Sequence, residues 1–129
     1  RLPNINAAMG CAQIERISDI LKRKREIARR YQEAFADLSG IRMFVEPKDC
    51  RSNYWLNVML LDRADVALRD SIIKTADEAG LMCRPAWTPL HLLPMYESCP
   101  RMDLATAEDL FERLVNLPSS PQLLGTGSA

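Results

Sequence analysis

Tyr54-Trp55-Leu56-Asn57-Val58-Met59-Leu60-Leu61 is the stretch that decides the fold. Tyr54, Leu56, Val58 and Leu60 alternate with Trp55, Met59 and Leu61, so an extended run here is apolar on both faces and only Asn57 interrupts it. A strand with one face in water would alternate apolar with polar residues. The run therefore predicts a strand covered on both sides. Residues 41–45 predict a shorter strand before it, across the Pro-Lys-Asp-Cys-Arg-Ser loop. Beyond it, Asp62 is expected to cap a helix with Asp65 in its first turn. Val66, Ile72, Ile73 and Ala76 form that helix's apolar stripe, and Gly80 ends it. Residues 81–84 predict a short strand. Pro85, Pro89 and Pro94 then forbid long regular structure, which leaves Trp87, His91 and Tyr96 on a loop or a single turn. A last helix near Asp103 presents Leu104, Ala107, Leu110, Phe111 and Leu114, and hands over to Val115-Asn116-Leu117 before Pro118.

Towards the other end, residues 4–38 predict helix nearly throughout, with Asn4 or Asn6 as the cap and a bend at Ser18-Asp19. Ile20, Ile27, Tyr31, Ala34, Phe35 and Leu38 recur at helical spacing, while Lys22, Arg23, Arg25, Glu26, Arg29, Arg30 and Glu33 occupy the other face. The order helix, helix, strand, strand, helix, strand, loop, helix, strand mixes hairpin-like and crossover connections. The expected class is α+β: a small, mostly antiparallel sheet with helices on one face, preceded by a long bent helix. The expected organisation is a helical lead-in at 1–38, a small α+β domain at 39–120 and a disordered tail at 121–129.

A chain of 129 residues with 47% apolar content can bury one modest core. Its 17 basic and 17 acidic residues balance. That balance removes any whole-molecule attraction to nucleic acid or an anionic membrane, so neither is expected as a partner. No apolar run approaches the roughly 20 residues of a membrane span, and no signal-peptide pattern is present, so a cytoplasmic protein is expected. Cys11, Cys50, Cys83 and Cys99 lack paired metal-ligand spacing; free thiols in a reducing compartment are expected, and no metal site.

Four features are candidates for chemistry. The basic stretch 22–25 with Arg29-Arg30 could track a phosphate backbone, but interleaved Glu26 and Glu33 favour a solvated helix face. His91, the one histidine, has no carboxylate nearby in sequence. Arg84 suits a phosphate and Trp87 a flat ring, and both share the proline-stiffened segment with His91. Asn53, Tyr54 and Trp55 stand at the mouth of the central strand, where they serve either packing or a ligand. No phosphate-binding glycine loop or nucleophile elbow occurs. Lys22, Lys24, Lys48 and Lys74 lie in no apolar setting that would prepare a Schiff-base lysine, so no catalytic residue is expected within this chain.

Arg1-Leu2-Pro3-Asn4-Ile5-Asn6-Ala7-Ala8-Met9-Gly10, Trp87-Thr88-Pro89-Leu90-His91, Leu93-Pro94-Met95-Tyr96 and Leu117-Pro118-Ser119-Ser120 together resemble the carboxy-terminal region of the DegT/DnrJ/StrS family of pyridoxal-phosphate (PLP) nucleotide-sugar aminotransferases. The similarity runs over nearly the whole chain and looks closest to the branch of legionaminic-acid and bacillosamine type. It implies the small domain of a fold-type I aminotransferase. The implied enzyme moves an amino group from glutamate to a nucleotide-linked keto-deoxysugar for surface glycan synthesis, as a homodimer. It further implies that Arg1 contacts the PLP phosphate and that Tyr54, Arg84, Trp87 and His91 border the sugar-nucleotide pocket. The family's lysine-bearing segment has no counterpart here, so the chain alone is expected to be an inactive fragment. The alternative is a stand-alone module whose basic helix binds a protein or a nucleic acid.

Overall fold

Residues 2–125 are described by a computed structural model. Eight regular elements form, in the order expected: α1 (Asn4–Glu15), α2 (Ile17–Ala34), β1 (Ile41–Met43), β2 (Asn57–Leu61), α3 (Val66–Glu78), β3 (Arg84–Pro85), α4 (Ala105–Arg113) and β4 (Leu114–Leu117). The four strands make one antiparallel sheet in the order β1-β2-β4-β3. The class is α+β.

Register and pleat sort the side chains. Ile41 pairs with Leu61, Met43 with Met59, Met59 with Val115, Asn57 with Leu117 and Pro85 with Val115, so these residues share one face of the sheet. Met59, Val115, Leu117 and Cys83 form the buried centre, and Tyr31 and Phe35 of α2 with Ile72, Ile73 and Ala76 of α3 pack against it. Helical spacing in α2 and α3 thus meets strand alternation across one layer boundary. The polar exception, Asn57, is buried but satisfied: its backbone N–H and its side-chain amide both donate to Ser119 Oγ, at 2.8 and 3.1 Å. Buried Arg69 is likewise anchored, donating to the Phe111 carbonyl at 2.7 Å with its guanidinium over the Phe111 ring, which ties α3 to α4.

Local chemistry moved several boundaries. Helix α1 starts after Pro3 with no side-chain cap, so neither Asn4 nor Asn6 serves as one. The bend falls at Arg16, whose ψ of 0° breaks the helical run just before Ser18-Asp19. Asp65, not Asp62, caps α3, because its carboxylate accepts from Leu68 N at 2.8 Å while Asp62 N–H still donates to the Gly40 carbonyl beside the sheet. Gly80 ends α3 at φ +78°, with Leu81 N–H donating to the Ala76 carbonyl and Gly80 N–H to that of Asp77. The central strand starts at Asn57 and not at Tyr54. Ser52 Oγ accepts from Tyr54 N–H, Asn53 Oδ1 accepts from Trp55 N–H, and Tyr54 sits at φ +46°, a turn that no strand can include. Residues 121–124, expected in a disordered tail, form the short 3-10 helix Pro121–Leu124, which Arg23 holds through the carbonyls of Pro121 and Gly125. The remainder of that tail, 126–129, lies outside the described residues.

Candidate functional site

The basic helix face is not simply solvated. Arg23, Lys24 and Arg25 of α2 reach two loops: Arg23 holds Pro121, Lys24 Nζ bridges both by donating to the carbonyls of Trp55 at 3.2 Å and Ser119 at 2.8 Å, and Arg25 Nη1 donates to the Ser52 carbonyl at 2.7 Å. Arg25 also pairs with both oxygens of Glu46 and lies 5.4 Å from the centre of the Tyr54 ring. Arg29 and Arg30 are taken up by Glu26, and Arg29 by Glu33 as well. Most of the positive charge that could meet a nucleic acid is spent within the molecule, so the basic stretch clamps two loops onto α2. Spacing alone could not show this, because the acceptors lie up to 102 positions away.

These clamps build an open cleft of about 1030 Å³ between α2 and residues 46–54, bordered by Lys22, Arg25, Arg29, Arg51, Asn53 and Tyr54. Arg25 and the Ser52 backbone N–H hold the Glu46 carboxyl down to about 2, and Arg29 with Arg30 does the same for Glu26. Both remain carboxylates at neutral pH, and the Arg25–Glu46 pair is a fixed wall of the cleft. Tyr54 is buried against it.

The other expected residues lie elsewhere. Arg84 is exposed on the edge strand β3, pairing with Asn116. Trp87 is 90% exposed, beyond the sheet on the proline-rich segment. His91 sits in the turn Leu90–Leu92, its side chain 11% exposed, with Nε2 at 2.7 Å from Glu108 Oε1 of α4. The carboxylate that sequence proximity did not offer is thus supplied by the fold. Tyr54 borders the α2 cleft, whereas Arg84, Trp87 and His91 do not, so the four are not gathered around one cavity in this chain. Arg1 lies outside the described residues.

The lysines bear on a cofactor. Burial pushes the Lys24 ammonium below its usual value, although no apolar setting was expected around any of the four lysines. Its Nζ is nevertheless held by two carbonyls. Lys74 faces Glu78 at 3.9 Å on the exposed side of α3, and Lys22 and Lys48 are surface residues. None of these four amines is prepared to bond a carbonyl carbon, so the described residues do not fit a complete PLP site. The cysteines are free; Cys83 is buried, which raises its thiol pKa, and the other three are exposed. No helix among the described residues is long and apolar enough to cross a membrane.

Residues 1–127 match the DegT/DnrJ/EryC1/StrS aminotransferase family. A GDP-perosamine synthase of Vibrio cholerae is 35% identical over 126 residues, which are 95% of this chain and 34% of that protein. A putative pyridoxal phosphate-dependent aminotransferase, EpsN, of Bacillus subtilis (strain 168) is 34% identical over 127 residues, 95% of this chain and 32% of the relative. Among solved structures, a putative sugar aminotransferase from Streptococcus pneumoniae in its PMP form superposes with a TM-score of 0.83 at 26% identity, covering 95% of this chain and 31% of that one. The chain spans about a third of the length of the curated relatives it matches.

Proposed function

The chain belongs to the DegT/DnrJ/EryC1/StrS aminotransferase family, and from that membership we propose that it is the small domain of a PLP-dependent nucleotide-sugar aminotransferase. The carrying observation is the family match over 1–127, which includes the helices, the sheet and the proline-rich segment alike. In this reading the helical lead-in 1–38 joins the α+β unit 39–120 to the part of the polypeptide that bears the cofactor's lysine, since no lysine here is fitted to the task. The chain alone is then inactive. The whole enzyme, a cytoplasmic homodimer, moves an amino group from glutamate to a keto carbon of a nucleotide-linked deoxysugar for surface glycans. PLP supplies the electron sink for that chemistry.

This chain's own contribution is binding. Arg1 is assigned to the cofactor phosphate. Tyr54, Arg84, Trp87 and His91 are assigned to the sugar nucleotide, and the exposure of Trp87 suits an aromatic face awaiting a flat partner. The GDP-perosamine synthases among the relatives support a nucleotide-linked sugar as the substrate class; the narrower legionaminic-acid or bacillosamine branch rests on the motifs at 87–96 and 117–120. The interaction-module alternative loses its basis, because the basic helix is occupied by Glu26, Glu33, Glu46 and loop carbonyls.

The test is amino transfer by the full-length polypeptide from glutamate to a nucleotide-linked 4-keto sugar. Trp87→Ala and His91→Asn are expected to lower kcat/KM for the sugar by about 1–3 kcal/mol and to leave the glutamate half-reaction nearly unchanged. Absence of transfer to every such sugar contradicts the function. Loss of the glutamate half-reaction in a folded, PLP-loaded variant contradicts the binding role.

A further inference from the structure

His91 is the chain's one histidine, and its ring is mostly covered. Nε2 lies 2.7 Å from Glu108 Oε1, a contact made between the turn Leu90–Leu92 and the first turn of α4. A carboxylate only accepts, so in this contact a neutral imidazole carries its proton on Nε2 and presents Nδ1 as a bare acceptor. Nδ1 makes no hydrogen bond among the described residues. No buried side-chain nitrogen or oxygen lacks a partner there either, so Nδ1 keeps an opening to the outside. The ring is therefore gripped at one nitrogen and open at the other.

We propose that Glu108 is a positioning residue that fixes His91 with Nδ1 outward, where it accepts a hydrogen bond from a hydroxyl of the sugar, a role that rests on the sugar-aminotransferase reading above. The polarity narrows the ligand atom. A phosphate oxygen or a keto oxygen would set acceptor against acceptor at Nδ1, whereas a hydroxyl donates. Trp87, four positions earlier and 90% exposed, offers an apolar wall on the same segment, as sugar rings require.

The experiment uses the full-length enzyme with Glu108→Ala and Glu108→Gln, assayed on the parent sugar nucleotide and on analogues lacking one sugar hydroxyl at a time. Glu108→Ala should lower kcat/KM for the parent about tenfold and erase the wild-type discrimination against one deoxy analogue. Glu108→Gln, whose amide oxygen still accepts from Nε2–H, should restore most of both. A merely structural role would lower parent and analogue equally; discrimination that survives in Glu108→Ala overturns the proposal. Absence of transfer by the wild type would strike the function itself, and the ring is then judged in the 129-residue chain by the 15N spectrum of its single histidine. One fixed Nε2–H tautomer that becomes a mixture in Glu108→Ala supports the positioning role, and a mixture in the wild type overturns it.

Discussion

At Glu46 one carboxylate joins three parts of the fold. It accepts from Arg25 of α2 at 2.5 and 3.1 Å and from Ser52 N–H at 2.5 Å, and Ser52 Oγ in turn holds the N–H of Tyr54. This network steadies a bulky residue at φ +46°, a conformation that costs on the order of 1–3 kcal/mol. The linkage to pH follows from its sign. The Glu46 pKa is depressed from 4.5 to about 2 in the folded state, so its stabilisation is fully present above pH 4.5 and is lost as pH falls towards 2. Chemical denaturation of the wild type and of Glu46→Gln across that interval checks it. The wild type should be the more stable at pH 7, and the difference should shrink steadily below pH 4.5 and vanish near pH 2. A difference that stays constant down to pH 2 would show that the charge of Glu46 does not hold the loop.

At the scale of elements, α1 and α2 have opposite surroundings. α2 buries Ile27 and Ala28, whereas α1 buries nothing and exposes Ile5, Met9 and Ile14 at 64–71%. A helix so apolar and so bare is expected to bind a hydrophobic dye strongly or to drive self-association. The double substitution Ile5→Gln with Met9→Gln should remove that signal while leaving stability within about 0.5 kcal/mol, because neither side chain is packed. A dye-silent monomer at high concentration would contradict this view of α1. Period and punctuation made the elements readable in sequence: of the stripe expected on α3, Ile72, Ile73 and Ala76 face the core while Val66, in the first turn, is exposed, and Gly80 does close the helix. What escaped were contacts between distant residues. Nothing local distinguishes Asp62 from Asp65 as the cap until the sheet claims the Asp62 N–H. Nothing in the run 22–25 announces that three successive cations answer to loops 46–55 and 119–125. The site was legible only as separate residues. Tyr54, Arg84, Trp87 and His91 could be singled out by type and setting, but the Glu108 carboxylate beside His91 depends on how α4 packs.

Across the whole molecule, a sheet with α2 and α3 on its core face is joined to a helix without a core and to a proline-rich segment with Trp87 in solvent. On the proposed reading, the apolar surface left open, Lys24 held by loop carbonyls, Lys74 beside Glu78 and Lys22 and Lys48 on the surface belong to a binding and closing domain with no amine of its own for the cofactor. That division of labour is the central claim, and the place of the PLP-bearing lysine tests it most directly. The polypeptide containing this sequence is to be purified from its natural source, reduced with borohydride and mapped by peptide mass spectrometry. The predicted result is one stoichiometric PLP label on a lysine outside these 129 residues. A stoichiometric label on Lys22, Lys24, Lys48 or Lys74, or a folded polypeptide that carries no PLP, would contradict it.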